Sequence, residues 1–171
     1  MDIFRHRLTG LPALALLIAV AGCSSSDDSA TVAVPSPDAK TAKLCRNLHE
    51  VLPDKVDGRK RSDPEPRSAL TAGWGSPAII LRCGVRRPPK MIDPKVAKGA
   101  DPDAIGGGVD GVDWLMEKQD DGTYRFTTAK REAYVQVTLP KSVPGQDSAT
   151  VLVDLAAAVK KAIPTGIAST V

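Results

Sequence analysis

Apolar residues recur along this chain at two spacings, and the spacings divide it into elements. Leu44, Cys45, Leu48, Val51 and Leu52 fall at helical intervals. Asp38 is placed to cap that helix and Pro53 to end it. Ala69 to Trp74 and Ala78 to Val85 read as strands around a Gly75-Ser76-Pro77 turn, and the run Ala78-Ile79-Ile80-Leu81, apolar on both faces, marks a central strand. Val112–Lys118 and Thr123–Thr128 flank Asp120-Asp121-Gly122 and predict a hairpin. In Ala133–Leu139 the apolar Val135, Val137 and Leu139 alternate with Tyr134, Gln136 and Thr138. A final helix is expected over Asp147–Ile163, with Val151, Leu152, Leu155, Val159, Ala162 and Ile163 as its apolar stripe and Pro164 as its stop.

The order helix, antiparallel strands, helix predicts an α+β fold: a small antiparallel sheet of about four to five strands with both helices packed on one face. The opposite face would carry Ile80, Arg82, Arg125, Thr127, Gln136 and Thr138. Two stretches lack periodicity. Residues 54–68 are polar and contain proline, with a short edge strand near Arg59 to Arg61. Arg86 to Gly111 reads as a long loop, of the kind that is functional or mobile, with Gly106-Gly107-Gly108 as a hinge.

The N-terminus changes the compartment. Arg5, His6 and Arg7 precede the ten-residue apolar run Leu11–Val20, too short for a permanent membrane span, and Val20-Ala21-Gly22-Cys23 follows. That tetrad resembles the lipobox of bacterial lipoproteins, which implies cleavage before Cys23 and a lipid on its thiol. The expected organisation is a lipoprotein signal peptide over 1–22, a disordered Ser/Asp/Pro tether over 23–37 and a single α+β domain over 38–165. Such a tether has a root-mean-square reach of about 20 Å.

With Cys23 assigned to the lipid, Cys45 and Cys83 remain as an even pair in an oxidising compartment. One comes from a helix and one from a strand, and both point into the same core. A bridge between them would close a loop of about 38 residues, which chain entropy values at ~4 kcal/mol. Two buried free thiols are the competing arrangement. A dyad of Cys45 with His49 requires a free thiolate.

The chain has 171 residues, 42% hydrophobic and 25% charged, with 14 Gly, 14 Pro and six aromatics besides histidine. This composition excludes a collagen, a coiled coil, a wholly disordered chain and a polytopic membrane protein. The net charge of +3 is mild, and an extracytoplasmic address argues against nucleic acid as a partner. Candidate chemistry is sparse. Asp101, Asp103, Asp110 and Asp113 lack the ligand order of a calcium loop, and the glycine triplet lacks the Lys-Ser/Thr of a phosphate loop, so no metal, cofactor or catalytic set is assigned. Arg59-Lys60-Arg61 and the cluster Arg86, Arg87, Lys90 could meet anionic lipid or wall polymer. Trp74 and Trp114 serve either as core or as a ligand platform.

The segment from Leu70 to Val85, LTAGWGSPAIILRCGV, resembles a known family pattern, as do Gly111-Val112-Asp113-Trp114 and Cys45 with Leu52-Pro53 and Gly58. Over about Cys45 to Ile163 the chain is similar to the actinobacterial lipoproteins catalogued as domain of unknown function 3515. The resemblance implies an exported, lipid-anchored envelope protein and carries no activity with it. The functional expectation is a binding or interaction module on the outer face of the cell membrane, held there by Cys23. Its partner would be an envelope protein or the cell wall, and its candidate binding residues are Trp74, Arg82, Arg86, Arg87 and Trp114. The alternative is a wall-active hydrolase or transferase using a carboxylate pair.

Overall fold

The computed structural model describes residues 30–143, 145 and 148–168; the expected signal peptide, Cys23 and Asp147 lie outside them. Helix α1 spans Ala39–Val51, and the carboxylate of Asp38 accepts hydrogen bonds from the Lys40 and Thr41 backbone amides, satisfying donors that the first turn leaves free. A small hairpin follows, β1 (Lys55–Val56) and β2 (Arg59–Lys60), closed by Asp57-Gly58 with both residues at positive φ. Asp-Gly is the usual pair for such a turn. The main sheet contains β3 (Thr71–Trp74), β4 (Ile79–Cys83), β5 (Ala104–Val109), β6 (Val112–Lys118), β7 (Tyr124–Ala129) and β8 (Val135–Leu139). All neighbours are antiparallel, in the order β3-β4-β8-β7-β6-β5. Helix α3, Ser148–Ala162, closes the chain and packs against α1.

The α+β architecture is as expected, with one strand more than anticipated. The difference lies in the segment read as a loop. Residues 86–111 contain a 3-10 turn at Pro89–Ile92, a short helix α2 at Pro94–Ala97, and β5. Gly106–Gly108 is therefore not a hinge: each glycine is paired in register with β6, opposite Leu115, Trp114 and Asp113. Its glycine-rich edge carries little apolar alternation, which hid the strand, but the Asp110-Gly111 turn that closes the β5–β6 hairpin has the same chemistry as Asp57-Gly58.

One sheet face and both helices share a core that includes Leu48, Trp74, Leu81, Phe126, Val137, Leu152 and Leu155. Cys45 of α1 and Cys83 of β4 are joined by a disulfide inside this core, which settles the pairing left open above and leaves no thiol for a dyad with His49. Buried Arg131 donates to the carbonyls of Ile163 and Gly111, fastening the end of α3 to the β5–β6 turn.

Residues 30–37, expected in the tether, are hydrogen bonded to the domain. Val32 donates to the Glu65 carbonyl, and Glu65 donates back to Ala30. Farther on, Pro37 lies against Gly84, whose φ is +83° and whose added Cβ would sit 2.6 Å from Pro37 Cγ. This position needs glycine on both counts, backbone and space. The strap laid down in this way runs over the sheet face that the helices leave free.

A guanidinium-lined cleft on the free sheet face

Side chains at paired positions of neighbouring strands share a face. Arg82 of β4 is opposite Gln136 of β8, and Arg125 of β7 is opposite both Thr138 of β8 and Glu117 of β6. Two adjacent rows of polar side chains thus cross four strands on the face away from the helices. Although this face is polar, Thr127 is fully buried, and Glu117 and Gln136 are only 7% and 8% exposed.

Two chain segments flank this part of the face. The strap contributes Pro35 and Ser36, and the chain leaving β4 contributes Arg86, Arg87, Pro88 and Pro89. Between them and the sheet lies a cleft of about 500 Å³ whose floor includes Arg82, Arg125, Glu117 and Gln136. A smaller cavity of about 270 Å³ adjoins it, sharing Ser36, Arg86 and Arg87 and adding Asp38 and Tyr134.

The cleft gathers four arginines and one carboxylate, and their charges are poorly matched within the protein. No ion pair among the described residues involves Arg82, Arg86, Arg87, Arg125 or Glu117. The Nε atoms of Arg82 and Arg125 and Oε2 of Glu117 are buried without a hydrogen-bond partner. Burial, and after it the like charge of Arg125, hold the Arg82 guanidinium below its usual range. Arg86 and Arg87 are exposed and Arg82 and Arg125 half-buried, so water reaches these guanidinium groups; what folding leaves unmatched is the buried Glu117 carboxylate oxygen and the two buried Nε atoms. Arginine presents planar, forked donors suited to carboxylate or phosphate oxygens.

Several of the other charges pair within the fold. Lys90 pairs with Asp101 at 3.0 Å, Lys130 with Asp113 at 2.9 Å and Lys160 with Asp110 at 2.9 Å. Asp101 also accepts from the Asp103 amide, and together these bonds pull its carboxyl below the ordinary range. Asp101, Asp110 and Asp113 thus each pair with a different lysine, and among the described residues no group of three His, Cys, Asp or Glu side chains converges. In the Arg59-Lys60-Arg61 cluster, Arg61 pairs with Asp63 and lies over the Trp74 ring, and Arg59 pairs with Asp57.

Of the sequence-based candidates, the structure brings Arg82, Arg86 and Arg87 into one cleft. Trp74 and Trp114 are corrected to core positions. Trp74 is fully buried with its indole N–H donated to the Pro53 carbonyl, and Trp114 is 3% exposed. In a sheet covered on both faces, apolar area of that size is worth more in the interior than at a surface. Three polar residues of the cleft floor were not among the binding candidates: Arg125, Glu117 and Gln136. The period-two pattern of their strands already places Arg125 and Gln136 on the face of Arg82, and β6 adds Glu117 by the same alternation.

A family model described as a protein of unknown function (DUF3515) matches residues 8–167. The chain belongs to this family. The match spans the strap, both helices, every strand and the cleft, so the cleft is built wholly from the DUF3515 region of the chain. No curated protein and no solved structure matches the chain.

Proposed function

We propose that this DUF3515 protein is a lipid-anchored binding protein on the outer face of the cell membrane, and that its domain captures an anionic envelope ligand in the guanidinium-lined cleft. The anchor rests on the Val20-Ala21-Gly22-Cys23 tetrad after a short apolar run. The ligand rests on one observation: four arginines and a single glutamate share a cleft in which none has an ionic partner. A pocket lined by one sign of charge concentrates ligands of the other sign. The two-carboxylate hydrolase has less support, because among the described residues Glu117 is the one acid lining the cleft.

Two measurements test this reading. Cys23→Ala is expected to leave the membrane fraction, and retention there removes the anchor. Inorganic phosphate, titrated into the full chain in detergent at low salt, is expected to raise its melting temperature, with the rise weakened by added sodium chloride and lost in Arg82→Gln. An absent rise, or one unchanged by Arg82→Gln, removes the anion site.

A further inference from the structure

Resting on the anion-binding reading, we infer that the ligand of the cleft is a phosphorylated polyol, its phosphate held between Arg82 and Arg125 and a neighbouring hydroxyl donated to Glu117. The first part follows from the positions of the two arginines. They stand on β4 and β7 with β8 between them, one residue pair out of line, so an anion joining them is approached from two directions. A tetrahedral phosphate offers acceptor oxygens in several directions, whereas a carboxylate offers its two in one plane. The charge points the same way. The cleft holds four guanidinium groups against one carboxylate, and a phosphate ester brings up to two negative charges.

The second part follows from Glu117. This carboxylate is nine-tenths buried, lines the cleft, and has an oxygen with no donor in the protein, although Arg125 is its cross-strand neighbour. A carboxylate in an anion site repels the anion, a cost that a hydroxyl of the same ligand offsets by donating to the unpartnered Glu117 oxygen. An ammonium would have to enter beside the two guanidinium groups of Arg82 and Arg125 that share the cleft with Glu117. A neutral hydroxyl meets the carboxylate without adding positive charge. The volume of about 500 Å³ is larger than a phosphate ion requires and leaves room for a polyol beside it.

The test compares inorganic phosphate, glycerol 3-phosphate and glycerol by calorimetric titration of the full chain in detergent. Glycerol 3-phosphate is expected to bind about tenfold or more tighter than phosphate, the effect of one hydrogen bond to a charged acceptor, and glycerol alone not to bind. Glu117→Leu, which retains the bulk of the side chain, is expected to tighten inorganic phosphate while reducing the glycerol phosphate advantage to within about threefold. Glu117→Gln serves as a second variant if the leucine form melts early, and it is expected to shift both affinities in the same directions. Equal binding of phosphate and glycerol 3-phosphate to the unaltered protein would overturn the polyol inference and leave the anion site standing; no binding of either would overturn both. Short-chain phosphatidylglycerol in the same titration separates the sources of this chemistry. Binding as tight as glycerol 3-phosphate assigns the ligand to a lipid headgroup, and binding only of the soluble ester assigns it to a free or polymer-borne polyol phosphate.

Discussion

Replacing both bridging cysteines, Cys45→Ala with Cys83→Ala, measures how much of the fold depends on the covalent tie between α1 and the sheet. The bridge closes a loop with a sequence separation of 38. For that length, chain entropy gives a loss of ~4 kcal/mol on removal, with unchanged native packing. Both cysteines are 1% exposed within the shared core, so deleting their sulfurs also removes buried contacts and adds to the loss. For a domain of about 130 residues, each kcal/mol moves the midpoint by roughly 3 °C, so the melting temperature should fall by about 12 °C. The assay is thermal unfolding of the full chain by circular dichroism, with the unaltered protein measured with and without reductant. A fall of less than about 4 °C in the double variant would refute the reasoning, since α1 would then be held by packing alone. The same variant bears on the cleft. Cys83 directly precedes the Gly84–Arg87 segment that forms one wall, so looser anchoring of β4 should weaken anion binding as well.

Two further substitutions examine the strap and the helix it leads into. Gly84→Ala puts a side chain at φ +83° and against Pro37, so it should cost at least ~1 kcal/mol and release the strap, seen as new proteolytic cleavage within residues 30–37; an unchanged cleavage pattern would count against the close approach. Asp38 carries a carboxyl lowered below 3.8 first by its side-chain bond from Thr41 and then by backbone amides, so its contribution is fully present above that value and is lost as pH falls through the lowered folded value. Asp38→Ala should therefore lower the melting temperature at neutral pH and flatten its decline in acid, and parallel acid limbs would contradict this.

Much of the architecture was legible because its signals are local. Asp38 and Pro53 bound α1, Pro164 follows the end of α3, and alternation over Val135–Leu139 fixed which face enters the core. The sixth strand was missed because β5 has an exposed, glycine-rich edge whose pairing with β6 is decided by the partner and not by its own residues. Its only local mark was the Asp110-Gly111 turn. The cleft was half legible for a similar reason. Arg82, Arg86 and Arg87 are close in sequence, whereas Arg125, Glu117 and Gln136 join them through strand pairing across four strands. The strap was invisible because Ser- and Pro-rich composition records low hydrophobicity, not the two backbone hydrogen bonds to Glu65 or the seat that Gly84 leaves for Pro37. The tryptophans were ambiguous in sequence because a large aromatic serves a core and a ligand equally well.

The central claim is that the neighbouring guanidinium groups of Arg82 and Arg125, which have no ionic partner among the described residues, receive an anion. The most direct measurement is the melting temperature of Arg125→Gln, with and without inorganic phosphate at low salt. Removing one of two half-buried neighbouring like charges should raise the melting temperature of the phosphate-free protein and abolish the rise that phosphate gives the unaltered chain. A variant that melts lower without phosphate, yet keeps the full phosphate response, would contradict the claim.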